Sequence, residues 1–88
     1  METYLLTVDA ISAEGLLRKN IFALKVPASH PVPGADDLIQ IPEEVAAREG
    51  LPIVLQVVSR RFMLDHVILD ELSPDCNTCI TLLTHPPS

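Results

Sequence analysis

The sequence predicts a small α+β domain of about five mostly antiparallel strands and one short helix. The expected order is β-β-α-β-β-β, with the sheet curled or closed into a small barrel. Three observations carry this expectation. Residues 3–12 and 16–26 alternate apolar and polar positions around a turn. Residues 41–52 carry helix start and stop signals. Residues 53–59 and 79–84 are β-branched runs bounded by Pro, Ser and Asp.

In the first strand, Tyr4, Leu6, Val8 and Ala10 share one face, and Leu5, Thr7, Asp9 and Ile11 share the other. The segment 12–15, SAEG, supplies a turn in which Gly15 tolerates positive φ. Alternation resumes over 16–26, with Phe22, Leu24 and Val26 on the buried face and Lys25 outside, so the two runs form a long hairpin. Residues 27–37, PASHPVPGADD, hold three prolines and a glycine, which deny the segment a full hydrogen-bond ladder and make it an extended surface loop. Loops of this length are enriched in binding roles.

The helix over 41–52 has Pro42 at its start, Glu43 and Glu44 in the first turn where the macrodipole favours them, and Gly50 with Pro52 at its end. Between Pro42 and Gly50, Val45 and the alanines are the only apolar side chains, which suits a two-turn connector. Residues 53–59 read as a strand with Ile53, Leu55 and Val57 on one face. Residues 60–72 fit a strand, with Phe62, Leu64, His66 and Ile68 together, or a helix with a Leu64, Ile68 and Leu72 stripe; the preceding strand favours the first. Residues 73–75 form a turn, 79–84 the last strand, and 86–88 a frayed tail after a single domain over 1–85.

The chain has 88 residues, 48 % of them hydrophobic, enough for one modest core but not for two domains. Tyr4, Phe22 and Phe62 are the only aromatics, so the core is aliphatic and no platform exists for stacking bases. Twelve acidic residues face six basic ones. Phosphate binding needs clustered cations, and only the isolated pairs Arg18-Lys19 and Arg60-Arg61 occur, so nucleic acid is not expected as a partner. No apolar stretch approaches the ~18–20 residues that cross a bilayer, and no secretory signal precedes the first strand; the expected compartment is the cytoplasm.

The charge is uneven. Residues 1–35 sum to zero, residues 36–50 to −4 and residues 51–88 to −2. Asp36, Asp37, Glu43 and Glu44 are therefore the candidate partner-binding residues, facing a protein with a basic surface. One short helix does not cover five strands, which predicts a homodimer. The leading functional expectation is an acidic, non-enzymatic accessory or regulatory domain that acts through protein–protein interaction.

Zinc binding, thiol redox chemistry and acid–base catalysis are the other chemistries that residues of this chain suggest. Cys76 and Cys79 are spaced Cys-x-x-Cys, and with His85 or His66 they form the candidate zinc ligands of an alternative reading, a zinc-binding module. A second matching pair is missing, so the better form of that site spans a dimer axis. Redox chemistry of the thioredoxin kind needs a helix after the first cysteine, and ITLLT here reads as a strand. Ser29-His30 and Asp36-Asp37 share a loop but lack a Gly-rich anion cradle, and His66 with Asp70 would be i,i+4 neighbours only on a helix. No catalytic residue is assigned.

Ile41, Pro42, Val45, Gly50 and Leu51 stand where an Ile-Pro-helix-Gly-Leu pattern places them, so residues 41–51 resemble a segment of the swapped-hairpin AbrB family of dimeric transcription factors. Ala46 stands where that family usually has a basic residue, Glu49 replaces an aliphatic one, and the Gly-Asp turn that follows is missing. The likeness is read as shared helix punctuation. A dimeric DNA-binding regulator remains the third functional reading.

Overall fold

The structure is a computed structural model that describes residues 3–63 and 76–87. It is an α+β domain: five mixed strands in a sheet curled into a half-barrel, and one short helix. The elements are β1 (Thr3–Ile11), β2 (Leu17–Pro27), β3 (Leu38–Gln40), α1 (Glu43–Glu49), β4 (Val54–Met63) and β5 (Cys76–His85). The sheet order is β2-β1-β5-β4-β3, antiparallel throughout except that β1 and β5 run parallel at its centre. No helix among the described residues is long and apolar enough to cross a membrane.

The β1–β2 hairpin forms as its alternation predicts. Tyr4, Leu6 and Val8 face Val26, Leu24 and Phe22 across the ladder. Gly15 has φ 84°, and the turn closes through Ser12 and Leu16, whose backbone and side-chain bonds span 2.8–3.1 Å. The register slips between Val8 and Ala10, where β2 carries extra residues. Asn20 sits at φ 53°, and its N–H donates to the Asp9 carboxylate at 2.8 Å. This kink turns Ile21 inward, where it is 3 % exposed. Leu24 lies on the predicted face yet stays 39 % exposed, because β2 is an edge strand among the described residues.

The α+β class is as expected, and among the described residues the elements run β-β-β-α-β-β where the expected order was β-β-α-β-β-β. A third strand, β3, precedes the helix, and residues 54–63 form one strand through the predicted boundary at 59–60. Three residues are too few to show a period, and β3 exists because β4 offers it a partner: Ile39 faces Leu55, with Val57 N–H donating to Asp37 O and Ile41 N–H to Ile53 O, both at 2.8 Å. The register slip at Val58 then resets the alternation of β4. Leu55 and Val57 face inward before it, and Arg60 and Phe62 stand opposite Leu82 and Ile80 after it. The question of strand or helix beyond Met63, with Leu64, His66, Ile68 and Asp70, lies outside the described residues.

The core occupies the concave face. Val8, Ala10, Leu55, Val57 and Leu82 are at most 1 % exposed. Thr84 is buried among them, and its hydroxyl donates to Asp9 O at 2.8 Å. The helix is more than a connector, because Val45 and Ala46, with Ile41 and Leu51 flanking it, join this core. Pro42 sits at the N-cap, and Gly50, at φ 66°, ends the helix in the left-handed conformation. Arg48 ties α1 to the far edge by donating from Nη2 to Ile21 O at 2.9 Å.

Leu82→Ala removes a fully buried side chain from the middle of the sheet. Urea unfolding is expected to show a loss of about 2–5 kcal/mol. Leu38→Ala, at a side chain 62 % exposed, should stay within about 0.5 kcal/mol of the parent. Equal effects at the two positions would contradict the placement of the core.

Candidate functional site

Among the described residues the half-barrel has two open edges, β2 and β3, and they are built differently. Because Asp37 O and Ile41 N–H both point to β4, the backbone of Ile39 does so too. Leu38 and Gln40 between them turn their N–H and C=O groups to the free side. The β3 edge thus offers two donors and two acceptors beside an exposed leucine. The β2 edge carries Arg18, Lys19 and Lys25, is kinked at Asn20, ends at Pro27, and has Ile21 O occupied by Arg48. Cations, kinks and terminal proline are features that keep an edge from accepting another strand.

All four candidate acidic residues border β3 and are exposed, Asp36 and Asp37 before it and Glu43 and Glu44 just beyond its other end. The aspartates also build the chain. Asp36 has φ 72°, its N–H donates to Val57 O at 2.8 Å, and its Oδ1 accepts from Gln56 Nε2 at 3.4 Å. Asp37 closes a tight turn, with Oδ2 accepting from Gly34 N–H at 2.7 Å and its own N–H donating to Gly34 O at 3.1 Å. The glutamates occupy the first turn of α1. The structure therefore divides the set into two turn-forming and two purely surface carboxylates, a division invisible in composition.

Between the two edges lies an apolar groove of about 420 Å3. Its floor is Leu6 and Val8, one wall is Phe22 and Leu24, and the other is Ile39 to Pro42. Past Leu6 and Leu24 the hollow continues for about 310 Å3 beneath the proline-rich loop, against Tyr4, Val26, His30 and Pro33. The loop is held there by bonds of its own. His30 N–H donates to Pro27 O at 2.9 Å, and His30 O accepts from Tyr4 Oη at 3.4 Å. Arg60 Nη1 donates to Val32 O at 3.2 Å. Burial pushes the Tyr4 phenol above its ordinary pKa, since the charged form would lose solvation. Ser29 and His30 are exposed on this turn, and Asp36 and Asp37 serve the separate turn before β3.

On the convex face, a cleft of about 380 Å3 gathers Asp9, Lys19, Ser59, Arg61 and Thr81. Asp9 is already bonded to Asn20 N–H, and the Thr7 and Thr81 hydroxyls bond each other at 2.8 Å. The cleft mixes both charge signs, and its Asp9 and Thr81 side chains are engaged in holding strands together.

Cys76 and Cys79 both lie in β5, which begins earlier than the expected 79. Cys79 is 4 % exposed and stands opposite Leu5 and Met63. His85 is at the other end of the same strand, six residues away and hence about 20 Å distant. The structure does not bring it to Cys79; its Nδ1 lies 2.6 Å from Pro86 O. His66 lies outside the described residues. Among the described residues, no three His, Cys, Asp or Glu side chains converge as metal ligands would.

No protein-family model, curated protein or solved structure matches the chain.

Asp37→Ala should lower stability by about 1 kcal/mol in urea unfolding, and Asp37→Asn, which keeps an acceptor oxygen, by less. Glu43→Gln should fall within about 0.5 kcal/mol of the parent. Tyr4 is the only tyrosine and there is no tryptophan, so ultraviolet titration reads its phenol alone. Its midpoint should lie above ~10 in the folded protein and return to that value in denaturant. Because the folded pKa is the raised one, the associated stability is complete below ~10 and is lost as pH climbs through the folded value. A folded midpoint at or below the ordinary value would contradict the burial of Tyr4.

Proposed function

We propose that this chain is a non-enzymatic accessory or regulatory domain of the cytoplasm that works by binding a protein with a basic surface. The observation that carries the reading is a juxtaposition: an apolar groove whose β3 wall is bracketed by Asp36, Asp37, Glu43 and Glu44. Apolar contact supplies affinity in such an arrangement, and the surrounding charge selects the partner and speeds encounter. Half of the cations sit on β2 and five of the twelve acidic residues fall within 36–50, so the molecule presents opposite signs at its two edges. A basic partner is steered to β3 and away from β2.

The test uses a labelled lysine-rich peptide with interspersed isoleucines, and the same peptide with glutamate for lysine. The first is expected to bind, with affinity falling as salt rises, and the second not to bind. Glu43→Lys/Glu44→Lys should weaken binding by roughly tenfold or more while the circular dichroism spectrum is kept. Asp37 is left unchanged because its substitution would disturb the turn. Amide shift changes should cluster at residues 36–44. Affinity indifferent to the double substitution would sink the reading.

A further inference from the structure

The shape of the acidic edge points to the form in which a partner arrives. We infer that the bound element is an extended segment that adds to β3 as a further strand, apolar at its inward positions and basic at its ends. This rests on the protein-binding reading above and specifies the partner's chemistry.

The free groups of Leu38 and Gln40 set the spacing of a strand partner, since an edge strand turns the backbone of alternate residues outward. A strand laid there would have alternate side chains on the concave side, level with Ile39. That side chain is one wall of the groove that Leu6, Val8, Phe22 and Leu24 complete. Inward residues of the incoming segment therefore enter an apolar hollow, and its outward residues pass Leu38, which is 62 % exposed. Its two ends reach Asp36-Asp37 on one side and Glu43-Glu44 on the other. An apolar centre with lysine or arginine at each end matches every one of these features.

A second copy of the chain matches them less well. Pairing β3 with β3 of another molecule would bring two sets of four carboxylates together. Pairing it with β2 of another molecule would satisfy charge, but β2 is bent at Asn20, ends in Pro27 and has Ile21 O already bonded to Arg48. The open edge thus accepts a foreign basic strand in preference to either of its own.

The experiment uses a labelled peptide alternating isoleucine and serine with lysines at both ends, measured by fluorescence anisotropy against the full chain. Backbone N-methylation is placed on residues of one parity and then the other. One set is expected to lose about tenfold in affinity and the other little, because only one parity faces β3. Gln40→Pro removes an outward N–H while leaving the β3–β4 bonds in place, and should weaken binding about tenfold with unchanged melting temperature. If that variant does not fold, the methylated peptides decide the matter alone. Equal affinity for both methylated sets overturns strand addition. If Glu43→Lys/Glu44→Lys still weakens binding in that case, acidic docking survives without it. No binding by the unmethylated peptide at low salt removes both. A dimer seen by sedimentation that excludes the peptide would place a second copy at β3 and overturn the inference.

Discussion

The parallel pairing of β1 with β5 is the contact on which the rest of the molecule depends. It joins the β1–β2 hairpin to the β3–β4 side of the sheet, and among the described residues no other strand pairing links these halves. Its inward side chains, Leu6 and Val8 against Ile80 and Leu82, with Ala10 beside Thr84, form the middle of the core. Thr84 adds a bond to Asp9 O, and Thr7 bonds Thr81 on the opposite face. A buried hydroxyl is tolerated here because it has an acceptor. Pairing residues more than seventy apart closes a large loop, which costs more chain entropy than closing the hairpin turn at Ser12–Leu16.

Curling of the sheet follows from departures from regular pairing. The slips at Val8/Ala10 in the β1–β2 ladder, Thr3/Leu5 in β1–β5 and Val57/Ser59 in β4–β5 each add local twist. The curl makes one face concave, and a short helix is then enough to fill one end of it through Val45, Ala46, Ile41 and Leu51. It does not fill the gap between β2 and β3, and the groove is what remains. The proline-rich loop, which cannot pair as a strand, forms the second hollow's wall through Pro31, Pro33 and His30. Function is thus proposed at the place where closure of the barrel stops short.

Much was readable from residues alone because their signals are local. Tyr4, Leu6, Val8 and Ala10 alternate, and each is buried. Gly15 and Gly50 adopt the positive φ that their positions suggest. Leu24 was readable as to face but not as to depth, since exposure depends on whether another strand lies beyond β2. The strand Leu38–Gln40 was not readable at all, because three residues carry no period and their pairing with β4 comes from elsewhere in the chain. The Cys-x-x-Cys spacing was conspicuous in the sequence, yet β5 extends through both cysteines and carries His85 to its far end.

By itself the sequence determined the class: one aliphatic core, a hairpin, a helix between Pro42 and Gly50, and a concentration of carboxylates over 36–50. These rest on periodicity, on backbone freedom at Gly and Pro, and on counted charge, all properties of neighbouring residues. Tertiary structure alone decided that β1 lies beside β5, that Asp37 closes a turn while Glu43 and Glu44 serve only the surface, and that an open strand edge stands between them. Those depend on which distant backbone groups find each other, and a hydrogen bond between remote residues leaves no mark on the order of either.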